Sequence, residues 1–139
     1  MSDLLTAELD LMLRRIATEP EPSAAELLVT KAERFIEHLA NGPLRIADVA
    51  RHVGASPSHL RSQFVAIRGI TPVAYAQTVR LRTALGYLRN STLTLDAVAA
   101  LSGYHSASHL SRHIRAATGM SPGAVRHRTV RTDLPVVDQ

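Results

Sequence analysis

The sequence predicts an all-α fold in which two copies of a small helical unit flank a longer helix. Three observations predict it. Apolar residues recur at three- and four-residue steps along most of the chain, the pattern of helices that bury one face. No segment alternates apolar and polar residues between hairpin turns, so strands are not expected. A block of roughly fifty residues occurs twice, with small, apolar and turn residues recurring at matching places.

Taken in order, residues 3–17 place Leu5, Leu9, Met12, Leu13 and Ile16 on one side of a helix behind Ser2 as N-cap. Residues Glu19, Pro20, Glu21, Pro22 and Ser23 break that pattern and read as a linker. A second helix is expected over 24–40, with Leu27, Leu28, Ala32, Phe35, Ile36 and Leu39 on its apolar side, closed by Asn41, Gly42 and Pro43.

The repeat begins near Leu44. Ile46, Val49, Ala50 and Gly54 match Leu95, Val98, Ala99 and Gly103 at a separation of 49 residues. After one inserted residue, Ser58, His59, Leu60, Phe64, Gly69 and Pro72 match Ser108, His109, Leu110, Ile114, Gly119 and Pro122 at a separation of 50. Within the first copy, Ile46 to Val53 forms a short helix whose small Ala50 permits a close crossing. Gly54 supplies the turn, and Ser56 with Pro57 starts the next helix as N-cap and first helical residue. This is a helix-turn-helix. Leu60, Phe64 and Ile67 face its core, while Ser58, Arg61, Ser62 and Val65 fall on the opposite stripe. The second copy runs from Leu95 to Leu101, through Gly103 and a Ser106 cap, into a helix over 107–117. Leu110, Ile114 and Ala117 are expected inward there, and Ala107, Ser108, Ser111, Arg112 and Arg115 outward. Residues 72–89 form the connecting helix, offering Tyr75, Val79, Leu81, Ala84, Leu85 and Leu88 for packing. The units therefore span about 44–69 and about 93–119 within one domain over 24–128, and 129–139 reads as a flexible tail.

The outward stripes point to a partner. They carry guanidinium and hydroxyl groups with no bulky apolar cover before Val65, which suits a helix entering the DNA major groove, where arginine bonds guanine through two atoms. Charge agrees. Residues 1–26 hold six acids against Arg14 and Arg15, whereas residues 27–128 hold thirteen Lys and Arg against four acids. The body is basic enough to favour a polyanion.

Composition excludes several classes. The chain has 139 residues, 45% hydrophobic and 20% charged, and no cysteine. It is sized for one domain, has no thiol chemistry, and has no apolar run that would span a bilayer, so a cytoplasmic protein with no membrane contact is expected. Asp48 and Asp96 have no paired carboxylate, and neither a phosphate-binding loop nor a nucleophile elbow is present. No enzyme and no cofactor are expected. His105, His109 and His113 are spaced by four, but His105 falls in the turn and His59 repeats His109 without the other two, so no metal site is expected.

These residues, in this order, resemble the DNA-binding domain of the AraC/XylS family of bacterial transcription regulators. The resemblance runs from about 29 to 128 through Ile46 to Ala50, Gly54 to Leu60, Phe64, Gly69 to Pro72, Tyr75, Arg80, Leu81, Ala84 to Leu88, Val98, Ala99, Gly103, Tyr104, Ser108 to Arg112, Gly119 to Pro122 and Arg126. It implies seven helices, besides the N-terminal one, and two DNA-reading units on a linker helix. By position it implies base contacts from Ser58, Arg61, Ser62, Ala107, Ser108, Ser111 and Arg112. Phosphate or positioning contacts are expected from Ser56, His59, Arg68, Ser106, His109 and Arg115. The family usually has phenylalanine where Leu110 and Ile114 stand and tyrosine where Val125 stands, so a looser second core is expected, and Gly86 would let the linker helix bend. Partners implied are promoter or operator DNA and RNA polymerase. Full-length members commonly carry an effector and dimerisation domain, so residues 1–23 are expected to be its remnant rather than the short arm of a stand-alone regulator, with weak homodimerisation through 3–17. The competing reading is a protein-interaction module that keeps the fold without operator binding, which the basic, hydrogen-bonding stripes disfavour.

Overall fold

A computed structural model of the chain describes the backbone of residues 6–13 and 20–132, with side chains as far as 128. Among the described residues there are eight helices and no strand: α1 over 6–13, α2 Ala24–Leu39, α3 Ile46–Val53, α4 Pro57–Arg68, α5 Pro72–Asn90, α6 Leu95–Leu101, α7 Ala107–Thr118 and α8 Pro122–Thr132. The fold is all-α, as expected.

Local chemistry sets the helix starts. Ser23 and Glu26 form a reciprocal capping box at α2, satisfying two backbone donors that helix geometry leaves without partners. Hydroxyl caps also start α4 (Ser56), α5 (Thr71), α6 (Thr94) and α7 (Ser106). α5 has 19 residues, a length of about 28 Å at the helical rise.

Two cores form, one per unit. The first gathers Val29, Ala32 and Ile36 from α2, Val49 and Ala50 from α3, Leu60 and Phe64 from α4, and Ala76 from α5. The second gathers Ala84 and Leu88 from α5, Val98 and Ala99 from α6, Tyr104 from the turn that follows, Leu110 and Ile114 from α7, and Val125 from α8. α5 therefore serves both, through its N-terminal part in one and its C-terminal part in the other. The second core closes without the family's aromatics: Leu110 and Ile114 are fully buried, Val125 nearly so, and Tyr104 supplies a ring.

Several expectations need correction. Leu27, placed on the apolar side of α2, is 56% exposed, and fully buried Val29 takes that role, because the α2 face turned to α3 and α4 is centred one position further round. Ala117, expected inward, is exposed, and half-buried Thr118 lies at the end of α7 instead, its hydroxyl donating to the Ile114 carbonyl. α8 continues to Thr132, into the stretch read as tail; residues 133–139 lie outside the described residues. Of the N-terminal helix expected over 3–17, the structure describes 6–13, where Leu9, Leu11, Met12 and Leu13 are all more than half exposed. Leu5 and Ile16 lie outside the described residues.

Gly86 sits inside the continuous helix α5, and a Cβ added there would meet nothing within 4 Å. Gly86→Ala should therefore raise stability by about 0.5–1 kcal/mol through helix propensity. A thermal melt checks this, and an unchanged or lower midpoint would show that the site demands glycine for another reason.

Candidate nucleic-acid interface

The two copies share turn and cap hydrogen bonds at corresponding positions. In the first turn the Ala55 amide donates to the Ala50 carbonyl at 2.9 Å, and in the second Tyr104 donates to Ala99 at 2.9 Å. Gly54 and Gly103 hold these turns at φ 74° and 82°, a region that a side chain disfavours. The hydroxyl of Ser56 accepts from the His59 amide at 3.1 Å, and that of Ser106 from the His109 amide at 3.1 Å. At the far ends, Gly69 donates to Val65 and Gly119 to Arg115, both at 2.8 Å. α4 and α7 are thus the same element built twice, each set against its shorter partner, α3 or α6.

The outward stripe of α4 is open: Ser58, Arg61, Ser62 and Val65 are all exposed. On α7, Ser108, Arg112 and Arg115 are exposed, while Ala107 and Ser111 are half-buried and offer less surface. The flanking candidates divide. His59 is exposed, and the exposed Ser56 and Ser106 spend an acceptor on their caps. Arg68 is engaged by Glu33 of α2 through its Nε, which ties the end of α4 to α2.

His109 is half-buried beside Tyr104 and His113, with ring centroids 5.3 Å from each. Tyr104 OH lies 3.1 Å from Nδ1 of His113. The histidines of α7 therefore brace the helix against its own turn. Among the described residues, no group of three or more His, Cys, Asp or Glu is placed to hold a metal ion.

Two arginines that sequence reasoning left without a role prove central to placing the stripes. Arg80 of α5 donates from Nε to the Ala40 carbonyl at 2.8 Å and from Nη2 to Gly42 at 3.1 Å. Arg126 of α8 donates from Nε to Leu88 at 3.2 Å and from Nη2 to Leu93 at 2.5 Å. Each clamps the connection that leads into the short helix of its unit. A signal for Arg80 was available: Ala76, Arg80, Ala84 and Leu88 step by four along the buried stripe of α5, where a guanidinium must find acceptors. Across α2, Tyr75 OH donates to Glu37, and burial followed by that carboxylate raises the phenol's pKa above its ordinary value.

A helix-turn-helix domain model matches residues 49–128, more than half of the chain and both units apart from the start of α3. The chain belongs to the AraC family. Over 130 residues it is 30% identical to the arabinose operon regulatory protein of Salmonella typhimurium, a match covering 90% of this chain and 46% of that protein. The chain thus spans under half the length of that curated AraC-family relative. A transcriptional regulator from Chromobacterium violaceum with an AraC-type DNA-binding domain is similar in structure, with TM-score 0.71 and 25% identity over 78% of this chain and 94% of that one. The DNA-binding domain of AdpA, a global transcriptional factor in complex with a target DNA, shares the fold at TM-score 0.70 and 22% identity, over 76% of this chain and 95% of that one. Among the described residues, no helix is long and apolar enough to cross a membrane.

His109 gives the fold a pH dependence. Burial first, then the neighbouring His113, Arg112, His105 and Arg80, lower the pKa of His109. The folded chain thus favours the neutral ring, and the unfolded chain binds more protons below the ordinary value of about 6.5. This contribution to stability is complete above that value and is lost as pH falls through the folded one. Thermal midpoints should be lower at about pH 5 than at about pH 7, and His109→Gln should shrink the difference. An undiminished difference in that variant would remove His109 as a source.

Proposed function

We propose that this chain binds double-stranded DNA sequence-specifically and regulates transcription, reading two successive major-groove segments with α4 and α7. The observation that carries the reading is the exposure of Arg61 and Arg112, one on the outward stripe of each of two equally built helices. A guanidinium there reaches guanine O6 and N7 together, and the serines beside it bond either base type. Ser58 and Ser62 share this work with Arg61, and Ala107, Ser108 and Ser111 with Arg112. His59 and Arg115 are exposed for phosphate contact, His109 positions α7 through Tyr104 and His113, Ser56 and Ser106 orient the helix starts, and Arg68 acts through its tie to α2. The length of α5, about 28 Å, suits two helices held about one DNA turn, or about 34 Å, apart. The similarly folded AdpA domain in complex with a target DNA supports the same use of the fold.

The unit that does this is residues 24–128, acting in the cytoplasm with promoter or operator DNA, and RNA polymerase is the further partner met there. The exposed leucines of α1 support weak self-association through residues 3–17.

Selection of bound sites from a random duplex pool tests the reading. Affinity for the selected site should fall by roughly 10³ or more between about 50 and about 200 mM salt, as phosphate contacts release counterions. Arg61→Ala and Arg112→Ala should each relax preference at one position, by about 1–3 kcal/mol. No duplex binding at either salt would favour a protein-interaction module instead, and an unchanged preferred site in Arg112→Ala would overturn the contact assignment.

A further inference from the structure

The duplicated turns differ in one respect. A Cβ added at Gly54 would meet nothing within 4 Å, whereas one added at Gly103 would collide with the Ala40 carbonyl oxygen and approach Arg80 Nε to 3.0 Å. The turn of the second unit is therefore pressed against the end of α2 in the first. Arg80 lies in the same place and donates to that same carbonyl oxygen and to Gly42. Three separate parts of the fold converge on Ala40: the end of α2, the middle of α5 and the turn before α7.

The junction is connected to both reading helices. On one side, Glu33 and Glu37, a turn apart on α2, hold Arg68 at the end of α4 and Tyr75 at the start of α5. On the other, Tyr104 follows Gly103 and is hydrogen-bonded to His113 of α7. Beyond the junction the halves part around a cleft of about 560 Å³, whose lining includes Leu44 and Arg45 from the first half and His105 and His109 from the second. Without the junction, the halves would be joined chiefly through α5, which carries Gly86 in its second half.

We infer that Arg80 is a positioning residue which, with the close-packed turn at Gly103, fixes the separation and angle of α4 and α7 and thereby selects the spacing between the two DNA boxes. The effect on DNA rests on the function proposed above, but the fixing of the two halves does not.

The protein has no cysteine, so Ala66→Cys and Ala116→Cys, at exposed sites on α4 and α7, can carry the only two spin labels. Pulsed electron-paramagnetic-resonance distances on the free, full chain should give one narrow peak. Arg80→Met keeps the apolar stem and removes every donor, and it should lose that peak to a broad distribution. Arg80→Lys retains the charge without the fork, and should fall between the two even if the methionine variant folds poorly. Gly103→Ala should broaden the distribution while Gly54→Ala, equally strained in φ but free of contact, should not. A peak as narrow in Arg80→Met and Arg80→Lys as in the parent would overturn the inference, and so would equal broadening by the two glycine variants.

The second arm uses the selected DNA site with one base pair inserted between its boxes, which turns the second box by about 34°. The parent should lose affinity by roughly tenfold or more, and Arg80→Met by less than about threefold. Equal losses would overturn the role in spacing. Failure of the parent to bind any duplex would count against the proposed function alone, since the label distances are measured without DNA.

Discussion

A single backbone carbonyl, that of Ala40, organises the way the halves of this molecule meet. It stands at the end of α2, where the helix leaves its last carbonyls without intrahelical partners. Arg80 supplies the missing donor from 40 residues further along the chain, and a charge-assisted bond of this kind is stronger than one between neutral groups. The same oxygen leaves no room for a side chain at Gly103. A requirement of helix termination and a requirement of domain packing are thus met by one atom. α2 holds the other elements of the first unit in turn, through its buried Val29, Ala32 and Ile36 and its two carboxylates on α4 and α5.

The duplication is preserved most closely where backbone groups must be satisfied. Turn and cap hydrogen bonds recur almost unchanged between the copies, because an unpaired buried amide or carbonyl is costly whatever side chains surround it. The side-chain cores have diverged. Phe64 fills the first, tilted against Tyr75, while Ile114 takes the corresponding place in the second and Tyr104 brings the ring from the turn. Arginine clamps recur in role but not in register, with Arg80 entering from the linker helix and Arg126 from α8. Different helices can therefore supply the donor, provided that the connection into the short helix is tied down.

Much of this was legible in the sequence. Gly54, Ser56 and Pro57 mark a turn and a helix start by local chemistry alone, and the bounds of α3 and the starts of α4 and α7 follow from such marks. Leu60, Phe64, Leu110 and Ile114 were legible as core because they lie at the centre of their apolar stripes. Legibility failed at the edges of stripes, where the angle at which two helices cross decides the outcome: Leu27 and Ala117 lie outside contact, and Val29 and Ala76 lie within it. The outward stripes were readable from spacing, and Arg61 and Arg112 are exposed where that spacing put them. Periodicity could not show that Arg68 is held by Glu33, that Ser111 is half covered, or that Arg80 reaches across to Ala40. These depend on residues more than thirty positions apart coming together, except at Ser111, whose cover depends on how α7 packs.

The two outward stripes are unlike in composition. At corresponding positions α4 carries Arg61, Ser62 and Val65, while α7 carries Ser111, Arg112 and Arg115. Under the function proposed above, a duplex would be read with polarity, since turning the protein end for end would bring an aliphatic side chain to the place an arginine had filled. Paired identical subunits lack this property, because their symmetry imposes a palindrome. On that reading, one such molecule would face a single way along its site and present a chosen side to whatever lies beside it.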